Sequence, residues 1–321
     1  MICWPVPAIP EMGERQPGFL APNLSPVGLR LVPQELAKGV YALMANQLPK
    51  DNNGLIVGEK AALVVDAGIT PGVGRHLQEV VRQITDVPVR YLANTTFHGD
   101  HTFGNIAFPD DVAIVSSRLN KASMTDLETE KEYRGESMYG DPGMEEVTHW
   151  REPDIVFDRF CEIDLGGRVV HLWHFGTGNG SGDTIVHVPD AKVAWAGNFL
   201  RHAGMPPMLL VGDPVGYTRS LRAMKATIEL DQFVPGHGPL SEAEPSVSWM
   251  LAYLEEMVAT VDQRRRQGVG LDEMLREHHA LRNPLTLPPE IPGAERFPAL
   301  MQSLHQLNVL LTYRYLDTTA P

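Results

Sequence analysis

Apolar residues follow two different periods along the chain. Between residues 70 and 86 they fall at Val73, Leu77, Val80, Val81 and Ile84, which share one face of a helix at about 3.6 residues per turn. On either side the apolar runs are short and dense. LAKGVYALMA (36–45) and GLIVGEKAALVVDAG (54–68) read as successive strands, with Gly58-Glu59-Lys60 turning between 55–57 and 61–66. VPVRYLAN (87–94) and DDVAIVSS (110–117) read as two more. The first half of the chain therefore alternates strand and helix.

The second half restarts with strands. DIVFD, FCEIDL, RVVHLWHF, DTIVHVPD and KVAWAG follow one another between 154 and 197, with Gly166-Gly167 as a turn. Tyr217, Leu221, Met224 and Ile228 mark a helix, and QFVPGHG (232–238) is a strand running into a loop. Val247, Met250, Leu251, Leu254, Met257, Val258 and Val261 form the apolar face of a long helix that Gly268 closes. A last helix covers about 297–316. Two β-rich halves with helices at their flanks predict an α/β sandwich: two facing sheets with the helices outside.

Two segments break this pattern. Residues 1–30 are rich in Pro and Gly and read as an irregular arm. Residues 118–153 are charged, with interleaved Met124, Tyr133, Met138, Tyr139 and Trp150, and read as an inserted lid whose large side chains shape an apolar pocket. The expected organisation is the arm, one domain over 31–265 carrying the lid, and a helical extension over 266–321 packed on the same domain.

Composition narrows the partners. The net charge is −13, and the one basic run, Gln263–Arg266, ends a helical pattern where cations complement the helix dipole. A nucleic-acid partner is not expected. Cys3 and Cys161 have no CxxC companion, which argues against a disulfide framework or a Cys-rich zinc site. The first residues lack a basic stretch followed by an apolar one, and no run approaches the roughly 20 apolar residues that span a bilayer. The expectation is a cytoplasmic protein with a small-molecule substrate and no membrane partner.

The chemistry concentrates in NTTFHGDHTFGN (94–105), the loop leaving a buried strand. His98, Asp100 and His101 can converge there on a metal, since imidazole and carboxylate are the usual nitrogen and oxygen donors to zinc and iron. The other histidines read otherwise. His171, His174 and His187 lie on strands, and His278 and His279 in a charged helix. His202 sits on a loop expected to pass near the metal and is a candidate for touching substrate.

In order, GLIVGEKAALVVDAG, NTTFHGDHTFGN, HFGTGNGSGDTIVHVPDAKVAWAGNFL and FVPGHGPL resemble the metallo-β-lactamase superfamily of metal-dependent hydrolases, over about 35–265. The resemblance implies an αββα sandwich with the active site along one edge of the sheets. It also implies specific losses. The family's HxHxDH loop has Thr96 in place of its first histidine. Asn179 replaces the histidine of the glycine-rich loop, and Asn198 the bridging aspartate. Of one metal site only His98 is left, whereas the ligands of the other survive as Asp100, His101 and His237. Losses confined to one site and the bridge imply one divalent ion instead of two, with zinc the first candidate and iron or manganese the alternatives. Asn198 is a possible weak fourth ligand. Thr96 and Asn179, poor donors to zinc, are expected to hydrogen-bond substrate or water. Asp66 looks like the family's aspartate that orients the ligand loop.

Three functions follow. The first is hydrolysis of a small ester, lactone, thioester or amide at a single metal, with Asp100 at the catalytic centre and His98 as acid–base group. The second uses two histidines and a carboxylate as the facial triad of a mononuclear non-haem iron oxygenase, or a lyase. The third is a non-catalytic binding protein on an enzyme fold.

Overall fold

The densest apolar runs become central strands, Asn53–Val57, Ala62–Val65, Ile185–Val188 and Val193–Gly197, whose side chains are almost all buried. A computed structural model describes residues 18–277, 281–291 and 294–319. Cys3, most of the N-terminal arm, His278 and His279 lie outside them. The first sheet runs β1 (Leu31–Ala37), β2 (Val40–Ala45), β3 (Asn53–Val57), β4 (Ala62–Val65), β5 (Val89–Ala93), β6 (Ala113–Ser117) and β7 (Ile155–Phe157), hydrogen-bonded in that order. The pairs from β1 to β4 are antiparallel and those from β4 to β7 parallel. The second sheet contains β8 (Phe160–Asp164), β9 (Val169–Trp173), β10 (Ile185–Val188), β11 (Val193–Gly197), β12 (Gln232–Pro235) and β13 (Ser241–Glu242), in the order β13-β12-β11-β10-β9-β8. Its one parallel pair among the described residues is β11–β12.

Parallel neighbours need a crossover. Helix α1 (Pro71–Ile84) supplies it between β4 and β5, and α5 (Pro214–Thr227) between β11 and β12. Between these come the short α2 (Gly99–Thr102), α3 (Arg118–Ser123) and α4 (Leu127–Met138); after them come α6 (Ala243–Arg266), α7 (Leu271–Arg276) and α8 (Phe297–Thr319). The expected apolar face of α1 is the buried one: Leu77, Val80 and Val81 cover Leu55, Val64, Leu92 and Ile114 on the outside of the first sheet. Tyr217, Leu221, Met250, Leu254 and Leu310 from α5, α6 and α8 cover Ile185, Ala194 and Phe233 on the outside of the second. Ile56, Leu63, Val65 and Ala93 meet Val170, Leu172, Val186 and Trp195 between the sheets. The result is two mixed sheets between helical layers, the αββα sandwich. Among the described residues, no helix is long and apolar enough to cross a membrane.

One strand extends past its expected limit. Strand continues upstream of 36 as β1, which turns at Gly39 (φ 73°) to pair with β2. Pro33 does not prevent this, because β1 is an edge strand whose outer side makes no ladder.

Trp195 locks the sheets together. Its indole lies in the inter-sheet core, and Nε1 donates to the Asn53 carbonyl at 3.1 Å. That approach depends on Gly54, where a Cβ would meet Trp195 Nε1 at 2.2 Å. Gly54→Ala should therefore overpack the core and cost about 2 kcal/mol, measurable as a lower urea midpoint with unchanged m-value.

Candidate metal centre

The site forms where strand ends of both sheets meet. At the end of β4, Asp66 adopts the left-handed conformation (φ 57°) and turns its carboxylate inward. Oδ1 accepts the Thr95 amide at 2.8 Å, and Oδ2 accepts the Thr95 hydroxyl at 2.7 Å and His101 Nδ1 at 2.8 Å. One carboxylate thus fixes the loop after β5 and the tautomer of His101, leaving Nε2 for the site. The Thr102 hydroxyl ties α2 back to the Phe97 and His98 carbonyls, both at 3.0 Å. From the second sheet comes His237, after β12. It donates Nδ1 to the Pro49 carbonyl at 2.7 Å, so its Nε2 also points inward.

Asp51 completes the cluster. The loop before β3 is stitched to the loop after β12: Asn52 donates its amide to Gly236 at 2.8 Å and its side chain to the Pro235 and Gly238 carbonyls at 3.0 and 2.8 Å. This sets Asp51 Oδ1 3.2 Å from His237 Nδ1. Asp51, Asp100, His101 and His237 are all buried, with one donor atom from each within 4.8 Å of the others. Asp100 Oδ2 stands 3.1 Å from His237 Nε2 and 3.5 Å from His101 Nε2.

The charges suit a cation. Burial, then the Asp100 charge, raises the Asp51 pKa well above the usual carboxylate value. Burial pushes Asp100 the same way, but Arg134 and His101 outweigh it and hold Asp100 well below that value. Burial disfavours charge on His101, yet Asp66 and Asp100 beside it lift it to about 9. Burial and the Arg201 charge lower His237 to about 4. Two carboxylates buried at one point repel each other unless a positive charge joins them. Two imidazoles and two carboxylates are donors that zinc, iron and manganese accept, so the residues fit a divalent ion.

The other sequence-derived candidates separate into groups. Thr96, His98 and Asn179 are buried, and among the described residues Thr96 Oγ1, both His98 ring nitrogens and Asn179 Oδ1 have no hydrogen-bond partner. Thr96 Oγ1, His98 Nε2 and Asp183 Oδ1 surround the Cα of Gly180, each within 4 Å of where its Cβ would lie. Burial, then the Arg134 charge, lowers His98 to about 3, so it is neutral at pH 7. Asn198 stands differently from its expected ligand role. Its Oδ1 accepts Arg201 Nη2 at 2.7 Å and its Nδ2 faces His101 Nε2 at 3.2 Å, while Asp51 is the fourth member of the Asp/His cluster that could hold a metal. His202 turns Nδ1 to the Ala203 carbonyl and does not line the site cavity.

That cavity encloses about 60 Å³ above His98, Asp100, Asn179, Asn198 and His237. Its walls correct the expected lid. Of the five large lid side chains, Tyr133 lines it. Met124 is buried elsewhere, Met138 packs on Leu24, Ile69 and Val73, and Trp150 lies against Phe103. Tyr139 is 48% exposed and donates to the Ala21 carbonyl. The apolar walls come mostly from Met205, Met208 and Leu210, from Leu300, Met301 and Leu304 at the start of α8, and from Phe19 and Leu24. The lid's main contribution is Arg134, whose Nη1 donates to Asp100 Oδ1 at 2.9 Å.

Asp51, Glu130, Arg134 and Arg201 were missed from sequence. Asp51 had a faint signal: Lys50, Asp51, Asn52 and Asn53 are four polar residues running straight into an apolar strand, and all four are buried. Arg201 and the Glu130–Arg134 pair had none, since such a pair one helical turn apart is ordinary on a solvated helix.

Fold and site together define a class of αββα proteins with an Asp/His cluster at one sheet edge. The sequence pattern of the Metallo-beta-lactamase superfamily matches residues 51–237, more than half of the chain, and the chain belongs to that superfamily. Solved structures agree on the fold. A metallo-beta-lactamase from Pontibacter korlensis is 16% identical with a TM-score of 0.54, the match covering 70% of this chain and 99% of that one. DIM-1 metallo-beta-lactamase is 14% identical with a TM-score of 0.55, over 71% and 98%. The inverting sec-alkylsulfatase Pisa1 from Pseudomonas sp. is 17% identical with a TM-score of 0.64, over 89% of this chain and 50% of that one.

Asp66→Asn should keep the fold but let His101 turn. We expect zinc affinity, read by competition with a chromophoric chelator, to fall about 10- to 100-fold.

Proposed function

We propose that the protein is a hydrolase of a small-molecule ester, lactone, thioester or amide that works with one divalent ion, zinc by preference. The observation that carries this reading is the asymmetry of the site. Donor atoms of Asp51, Asp100, His101 and His237 converge within 4.8 Å, while the neighbouring positions are the neutral Thr96 and Asn179. A divalent ion held by those four residues supplies a Lewis acid that polarises a carbonyl and lowers the pKa of water. The likeness to proteins named as β-lactamases and an alkylsulfatase supports hydrolysis. Asp51 adds a second carboxylate to two histidines, which departs from the two-histidine, one-carboxylate triad of iron oxygenases.

The remaining residues have assignable tasks. His98 is neutral at pH 7, and the ring nitrogen that carries no hydrogen is the atom that takes a proton. Thr96 and Asn179 orient substrate or water through their unpaired oxygens. Met205, Met208, Leu300 and Leu304 hold an apolar acyl or alkyl portion and exclude bulk water.

Elemental analysis should find one ion per chain in the unaltered protein and none in His101→Ala or His237→Ala. His98→Ala should keep the ion while turnover drops on the order of 100-fold across a panel of activated esters, thioesters, lactones and amides. Two ions in the unaltered protein, or loss of the ion in His98→Ala, would falsify the single-ion reading.

A further inference from the structure

Asp100 divides its two oxygens between different partners. Oδ2 faces His237 Nε2 and His101 Nε2 at 3.1 and 3.5 Å, and Oδ1 accepts Arg134 Nη1 at 2.9 Å. Arg134 comes from α4, within the inserted segment, and its side chain is 14% exposed. Its Nε lies 3.0 Å from Glu130 Oε1, which also accepts the Gly99 amide at 2.7 Å and stands 3.8 Å from His98 Nδ1. The guanidinium therefore reaches Asp100 from the His98 side. This is the half of the site where Thr96 and Asn179 stand and where polar atoms have no hydrogen-bond partner among the described residues.

A guanidinium is well suited to such a place. It stays charged at any pH the protein survives, and its planar fork engages two carboxylates at once. Asp100 and Glu130 offset the cost of burying it. We propose that Arg134 is a built-in cation that takes over the charge of a second ion, holding Asp100 and presenting positive charge to a negatively charged substrate oxygen among Thr96, His98 and Asn179. The substrate-binding clause rests on the hydrolase reading above; the charge replacement does not. The plainer role, a tether that only keeps α4 in place, predicts no effect on metal affinity.

The experiment compares zinc affinity, by chelator competition, in the unaltered protein, in Arg134→Lys and in the charge-neutral pair Glu130→Gln with Arg134→Met. Thermal melts confirm folding, and Arg134→Gln with Glu130→Gln replaces the Met pair if that pair unfolds. Once Asp100 is released to the ion alone, the charge-neutral pair should bind zinc at least about 10-fold more tightly. Arg134→Lys, which keeps the charge, should stay within a few-fold of the unaltered protein. Zinc uptake by the charge-neutral pair alone would support Arg134 as a cation while removing the single-ion hydrolase. Equal or weaker affinity in both variants would overturn the inference and leave the hydrolase reading standing, and no uptake by any of the proteins would overturn both.

Discussion

The Asp66 carboxylate is the constraint on which the centre depends. One side chain accepts from the Thr95 amide, the Thr95 hydroxyl and the His101 ring. The first two bonds fix the path of the chain as it leaves β5, and the third fixes an imidazole seven residues after Asn94. Remove the carboxylate and the loop is still covered by neighbouring structure, but the acceptor that holds the His101 Nδ1 hydrogen and turns Nε2 toward the site is lost. Its backbone conformation is part of the same device. A non-glycine residue at φ 57° carries strain, which the three hydrogen bonds offset.

Around that anchor the charges are arranged in opposition. Arg134 and Arg201 approach from different segments, one engaging Asp100 and the other Asn198. Both stand close to imidazoles that burial already holds neutral, and both lower them further. His101, flanked by Asp66 and Asp100, is driven the other way. The histidines of one cluster are thus pushed in opposite directions because their neighbours differ, although all are buried.

Much of the fold was legible because strands covered on both faces read as dense apolar runs and α1 shows a clean helical period. The candidate ligands Asp100 and His101 were legible for a related reason: they lie within a few residues of each other, so one loop displays them together. Asp51 and Arg134 are brought in by tertiary structure; the polar run around Asp51 marks it only faintly, and nothing near Arg134 in sequence marks it. The large lid side chains misled for a physical reason. Met138 is apolar because it packs on Leu24, Ile69 and Val73, Met124 is buried away from the cavity, and Trp150 lies against Phe103. Much of the apolar cavity wall comes from α8 and the loop before α5, far along the chain, and from Phe19 and Leu24 near its start.

The Asn52 stitch has a consequence for how the protein holds together. It joins the loop before β3, in one sheet, to the loop after β12, in the other, and sets Asp51 against His237. The four candidate donors therefore straddle the seam of the sandwich, with Asp51, Asp100 and His101 on one side and His237 on the other. An ion gripped across that seam acts as a clasp, and separating the two sheets would mean releasing it. At an ion concentration 100 times the dissociation constant, such a clasp adds about 2.7 kcal/mol against unfolding. Metal supply would then set the working stability of the whole sandwich as well as the chemistry at its edge.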